Sequence, residues 1–465
     1  MQIQTETRVA SEYWWLFFVM LAGLVIWCAW PGQLYFLNDD YLHIPKACEG
    51  QLGQNNSLRP IGDLSLFIDS LWSGKNAYGY HLTNLLLHLL NMILAVPVFK
   101  KIAASLHHPV GTSVAVIIAG LFGVYAFHSE ALFWILGRAA SLSLCFNLLC
   151  WLCFFKALVQ RWWLVPMAAF FLLGIFTYES LWVFPLLLLT WVFLLPKTDA
   201  QRKLAVWPII IIWLLFIAYF PIRLQFTGAL LGTYEANDVE HFNLPGLAEK
   251  TLKLYMRSFL PPMANTKFFM ALVGAVIVGI LLLGRLLYKR KLINKLLVFL
   301  VLCWLISYLP YVSLGVSVTG YESERYLYYP SLFLCAAIVY AGVLLWQHNS
   351  RSLSIYLSAV FMFHIFFFIR ASSAFKKISS YSRNGMAAMV QVPLQKKIVI
   401  KDLPVYSHGQ PVFNYGLMNG ISWLAPGRDT LQVEILSKKR FEQQRISVAV
   451  AGSNSVADTI VFSGQ

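Results

Sequence analysis

Residues 81–99 read HLTNLLLHLLNMILAVPVF, 19 positions with no lysine, arginine, aspartate or glutamate among them. As an α-helix this run is about 28 Å long, enough to cross the hydrocarbon core of a bilayer. Its polar members His81, Asn84, His88 and Asn91 are spaced three, four and three apart, so they share one face. A polar stripe on an apolar helix faces protein rather than lipid, and the stretch predicts one member of a membrane-embedded bundle. Helix-to-helix hydrogen bonding accounts for His88 and Asn91, while His81 at the outer end stands within reach of a site. No third ligand in the sequence completes a zinc site around these histidines.

Runs of the same kind recur in both directions, at 13–30, 110–127, 133–155, 162–178, 180–196, 205–222, 267–288, 296–316, 326–347 and 353–370. Of 465 residues, 58% are hydrophobic and 12% charged, which excludes an ordinary soluble domain. The expected fold is mainly α, a polytopic bundle of about eleven transmembrane helices over 1–370, with a first extracytoplasmic loop at 31–80. The first run follows Arg8 and ends at Pro31 and Gly32 without a small-residue cleavage motif, so it reads as an anchor. From 371 to 465 the pattern changes. Alternating stretches at Lys397–Lys401, Thr430–Leu436, Ile446–Val450 and Thr459–Phe462, separated by Pro, Gly, Asn and Asp, predict a small β-rich extramembrane domain.

The 36 lysines and arginines exceed the 21 acidic residues by 15, in short clusters between the apolar runs. Counting alternate connections puts Lys100, Lys101, Lys156, Arg161, Lys197, Arg202, Lys203, Lys289 to Lys295 and Arg351 on one side, which the positive-inside bias makes cytoplasmic. Orientation explains that excess better than a nucleic-acid partner does. Six of the seven cysteines lie in apolar runs, and only Cys48 sits in a polar loop, so no disulfide framework follows. The Cys150/Cys153 pair is flanked by Trp151, Leu152 and Phe154 and reads as core packing rather than a metal or redox site.

The acidic groups gather on the opposite, extracytoplasmic side. Asp39 and Asp40 adjoin a membrane boundary, where one carboxylate can be kept basic while the other orients a partner or a cation. His128 and Glu130 end the third run, Arg138 follows one to two turns into the next, Glu179 separates two runs, and Glu324 with Arg325 opens the tenth. Carboxylates and arginines converging on one plane suit a phosphate-bearing ligand plus a base. The sequence has no GxxxxGK[ST], GxGxxG after a strand, HExxH or GxSxG, so ATP hydrolysis, dinucleotide chemistry and the common hydrolases lose support.

Four blocks carry a family likeness: FLNDDYLHI (36–44), SLRPIGDLSLFID with GYHLTNLLLHLLN (57–69 and 79–91), FHSEALFWILGRAASLS (127–143) and ESERYLYYPSLFLC (322–335). In content and order they resemble the GT-C class of membrane glycosyltransferases, most closely the protein O-mannosyltransferase group. The resemblance implies a polyprenyl-phosphate or dolichyl-phosphate sugar donor entering from membrane lipid, and inverting transfer to a hydroxyl of a protein or glycan acceptor. It makes Asp39 the base, with Asp40 second choice, and assigns Arg59, Arg138 and Arg325 to the donor phosphate. His81, His128, Glu130, Glu179 and Glu324 become substrate-orienting residues, with Glu130 and Glu179 equally placed as structural partners of Arg138. The tail departs from the group's tetratricopeptide relatives, which leaves the acceptor open. No cofactor is fixed, and a divalent cation beside Asp39 and Asp40 stays open. The rival readings are a transporter or flippase of lipid-linked sugars, which lacks a detectable inverted repeat, and a noncatalytic scaffold.

Overall fold

The computed structural model describes residues 11–53, 58–228, 244–428, 432–441, 446–453 and 457–464. In chain order its helices are α1 Ser11–Cys28, α2 Asp40–Cys48, α3 Pro60–Ser73, α4 Ala77–Ser105, α5 Thr112–Gly123, α6 Glu130–Phe133, α7 Arg138–Ala157, α8 Leu164–Ile175 and α9 Phe184–Leu194. They continue with α10 Ala200–Leu204, α11 Val206–Thr227, α12 Leu244–Met256, α13 Thr266–Lys289, α14 Lys295–Ile306, α15 Arg325–Trp346, α16 Ser350–Gln391 and α17 Leu417–Leu424. Asparagine begins several of the long ones. Asn76, Asn265, Asn294 and Asn349 each accept a hydrogen bond from a backbone N–H in the first turn of α4, α13, α14 and α16.

Seven helical segments are long and apolar enough to cross a bilayer, and four shorter apolar ones, Thr112–Gly123, Arg161–Ile175, Glu179–Leu194 and Lys295–Tyr311, account for the remaining predicted runs. The protein is an integral, multi-pass membrane protein. α15 is the central helix, with 83% of its membrane window buried, whereas only 11% of the window of α13 is buried and that helix faces outward. The shorter segments fall short of the expected spans because they wind into 3₁₀ turns at Ala126–His128, Glu179–Val183 and Leu309–Tyr311. Irregular backbone at this depth is tolerated only where it is enclosed by protein, and these turns carry residues of the polar layer described below.

The stretch at 31–80 is not an open loop: it folds into α2, α3 and the first turn of α4. α3 starts with Pro60 at its first turn, and its 14 residues reach about 21 Å, too short to cross the membrane.

α16 runs unbroken past residue 370 to Gln391, carrying the chain out of the bundle. Beyond it lie β1 Lys397–Lys401, β2 Leu403–Ser407, β3 Gln410–Pro411, β4 Val433–Ile435, β5 Lys438–Phe441, β6 Ile446–Ser453 and β7 Ala457–Gly464. They form a four-stranded sheet in the order β4-β1-β7-β6 and a three-stranded sheet in the order β3-β2-β5. β1 alternates exposed and buried side chains, putting Ile398 and Ile400 into the core with Ile460 and Phe462 of β7.

The C-terminal unit and α2 are packed as one piece. Gly420 of α17 lies against the Tyr41 ring, the Tyr41 hydroxyl is 2.7 Å from Ser382 Oγ of α16, and Ser382 donates to the Phe36 carbonyl at 2.7 Å.

Candidate active site

Asp39 and Asp40 are adjacent in sequence but separate in environment. Asp40 is fully buried, and its two oxygens accept the N–H of Leu37 (2.8 Å) and of Leu136 (3.3 Å), tying α2 to the turn before α7. Asp39 is only half-buried, and one of its oxygens accepts the Asn38 side-chain amide at 2.9 Å. Asn38 holds a left-handed φ of +46° and is gripped by the C-terminal unit, its N–H donating to Val412 O (2.9 Å) and its side-chain oxygen accepting Tyr415 N–H (2.8 Å). Burial pushes both carboxyl groups above the ordinary range. For Asp39, Arg325 pulls back down and Glu130 adds to the rise; for Asp40, the two backbone donors oppose and the Asp39 charge adds. Asp40→Asn turns one of two acceptors into a donor facing an N–H, and an expected stability loss of about 1–3 kcal/mol should appear as a lower melting temperature in detergent.

Glu130 and Arg325, whose charges both act on Asp39, form an ion pair. Glu130 Oε2 accepts the Arg325 side chain at 2.9 Å and its backbone N–H at 3.1 Å, and the guanidinium lies 5.1 Å from the Trp134 ring and 4.8 Å from that of Tyr326. The turn between Glu130 and Arg138 is so tight that a Cβ on Gly137 would sit 2.1 Å from the Glu130 carbonyl oxygen, which explains glycine in that block. Glu322 and Tyr406 also feel the Asp39 charge, and burial followed by the Glu130 charge pushes the Glu322 carboxyl up.

The other predicted residues distribute around this centre. Arg59 donates to Glu179 at 2.7 Å and lies 4.5 Å over the Tyr178 ring; Arg223 reaches the other Glu179 oxygen at 3.7 Å. Tyr178, Tyr311 and Tyr326 pack in sequence, at 5.9 and 4.7 Å between centroids, joining the Arg59 cluster to Arg325. Glu324 is buried against Arg257 and Ser129, with Arg257 also donating to Ser317 O at 2.9 Å.

Arg138, expected to bind the donor phosphate, is enclosed by protein groups. It is 1% exposed and spends its donors on Asp69 (2.5 Å), Asn84 (2.9 Å), Tyr80 O (2.6 Å) and Ser65 O (3.3 Å), so it braces α3, α4 and α7. Its carboxylate partner is Asp69, whereas Glu130 serves Arg325 and Glu179 serves Arg59 and Arg223. His81 and His128 are buried inside the bundle, His81 facing Tyr35 O at 3.3 Å and His128 facing Ser331 Oγ at 3.0 Å, and neither lines the cavity below. His88 and Asn91 do bond across helices, meeting Tyr328 at 2.8 and 3.1 Å.

A cavity of about 840 Å³ opens beside this centre, between the bundle and the C-terminal unit. Glu322 and Tyr406 are on its wall, with Arg370 and Lys377 from α16, Arg440 from β5, and Phe366 and Ile369 on the flank. These cations, with Arg223 and Arg257, escaped the sequence reading. Among the described residues no three His, Cys, Asp or Glu side chains come together to hold a metal ion.

The apo oligosaccharyltransferase of Archaeoglobus fulgidus shares this architecture at a TM-score of 0.51, with 10% identity, over 93% of this chain and 65% of that one. The fold is that of the GT-C membrane glycosyltransferases. ArnT from Cupriavidus metallidurans in its apo state gives a TM-score of 0.49 with 12% identity, over 90% of this chain and 85% of that one. In sequence, 105 residues are 35% identical to protein O-mannosyl-transferase tmtc2 of Xenopus laevis, and 128 residues are 32% identical to protein O-mannosyl-transferase Tmtc1 of Drosophila melanogaster. Those stretches are 22% and 27% of this chain and 12% and 14% of the relatives, so this chain matches about an eighth of their length. No protein-family profile matches it.

Proposed function

We propose that this protein is an inverting glycosyltransferase that moves a sugar from a polyprenyl-phosphate donor to a hydroxyl of a protein or glycan, on the extracytoplasmic face. The observation that carries the reading is the position of Asp39, half-buried beside the Glu130–Arg325 pair and next to a basic cavity with an apolar flank. In this mechanism Asp39 takes the acceptor hydroxyl proton as that oxygen attacks the anomeric carbon. The bond from that carbon to the phosphate oxygen breaks, and the lipid phosphate leaves with the electron pair. Cations on the cavity offset the charge that grows on it. Phe366 and Ile369 give the first carbons of the lipid an apolar surface, and the charge distribution between loops supports the assignment of the face. Arg138 braces the helices under the site, and Asp40 holds the turn that carries Asp39.

The test is transfer of radiolabelled sugar from polyprenyl-phosphate-linked donors in membranes containing the protein. Movement of intact donor across the bilayer without any transfer would overturn the reading in favour of a flippase. The pH dependence gives an independent check. Transfer needs Asp39 as carboxylate, and its carboxyl is raised, so activity should fall as pH drops through a limb lying above the ordinary carboxylate range. Arg325→Gln removes the group that lowers this carboxyl and should move the limb to higher pH, read from the pH profile of the transfer rate.

A further inference from the structure

We propose that the C-terminal unit is part of the donor site and supplies one of its cations, Arg440. The inference rests on the transferase reading above and adds to it a positioning residue from outside the membrane bundle.

The argument begins at a two-residue turn. His408 and Gly409 have left-handed φ of +51° and +73°, the conformation that closes a tight hairpin, and they join β2 to β3 with Ser407 opposite Gln410. The turn is set down on the segment that carries Glu322, where the Tyr321 N–H donates to Gly409 O at 3.1 Å. Contact is backbone to backbone: a Cβ on Gly320 would stand 2.1 Å from Gly409 O, and a Cβ on Gly409 would stand 2.4 Å from Gly320 Cα. β5 runs parallel to β2 with Arg440 in register with Tyr406, and the guanidinium lies 4.6 Å over the Tyr406 ring. A docked turn thus fixes β2, β2 fixes β5, and β5 puts Arg440 on the cavity that Arg370 and Lys377 reach from α16.

The charges on that cavity point to an anion. Among the described residues Arg370, Lys377 and Arg440 form no ion pair, while Arg59, Arg138 and Arg325 are each bonded to a carboxylate. Three cations face the single carboxylate of Glu322, with Phe366 and Ile369 alongside. A phosphate bearing an apolar chain meets both requirements, and guanidinium groups suit its oxygens.

The experiment measures binding rather than turnover. The full-length protein in detergent is titrated with undecaprenyl phosphate, and binding is read as a rise in melting temperature and by native mass spectrometry. Wild type and Lys439→Ala, which alters a neighbouring cation off the cavity, should bind alike. Arg440→Ala should weaken binding by about tenfold, the loss of a hydrogen bond to a charged group, with Arg440→Lys recovering part of it. Gly409→Val, which cannot keep the docked turn, should weaken binding although Arg440 is intact. Melting temperatures without lipid report whether each variant is folded. Binding by Arg440→Ala equal to that of Lys439→Ala overturns the proposal and leaves the transferase reading standing. Absence of binding by wild type overturns both. Inorganic phosphate competing as well as the lipid would overturn the assignment of a lipid-borne anion.

Discussion

Asp39→Asn is expected to abolish sugar transfer, with a loss of about 10²- to 10⁴-fold, the range typical for removal of a general base. Asparagine has the size of aspartate and can still meet the Asn38 amide, so the turn before α2 keeps its geometry while the proton acceptor is lost. The variant should therefore reach the membrane in normal amounts and bind undecaprenyl phosphate as wild type does, separating chemistry from donor binding. Undiminished transfer at equal protein level would remove Asp39 from the mechanism. Its neighbour supplies the contrast, because Asp40→Asn acts on stability through Leu37 and Leu136 and not on proton transfer.

Arg138→Ala is expected to fail by unfolding, costing about 3–5 kcal/mol, because it leaves Asp69 as an uncompensated buried charge. Arg138→Lys should rescue little: a single ammonium cannot span Asp69, Asn84 and the Tyr80 and Ser65 carbonyls in the fixed directions that a guanidinium offers. The measurement is melting temperature and recovery of monodisperse protein in detergent. A donor-phosphate role would give the opposite pattern, a normally folded Arg138→Lys with a raised KM for the lipid donor, and that outcome would overturn the bracing role.

The amino-acid sequence by itself determined the membrane architecture. Apolar runs long enough to meet the hydrocarbon core, and polar residues confined to one face of 81–99, leave few other solutions, since a bilayer penalises every alternative. It also determined the strands at Lys397–Lys401, Ile446–Val450 and Thr459–Phe462, which fall within β1, β6 and β7, because period-two alternation is a local property. It drew Asp39, Glu130, Glu179 and Arg325 to one plane by topology alone.

Tertiary structure decided what those residues touch. Asp39 and Asp40 are indistinguishable in the sequence, and only the N–H groups of Leu37 and Leu136 commit Asp40 to the fold. Arg138 and Arg325 are both arginines beside acidic blocks, yet one is enclosed by Asp69 and Asn84 while the other stands next to Asp39. The union of α16, β2 and β5 around one cavity joins residues from 366 to 441 with the segment at 317–322. Its cause is the backbone contact between Gly320 and Gly409, nearly ninety positions apart. Local pattern reports which face of an element is apolar, but which partner arrives at a polar group depends on long-range packing, and that partner sets whether a charge is a brace or a ligand.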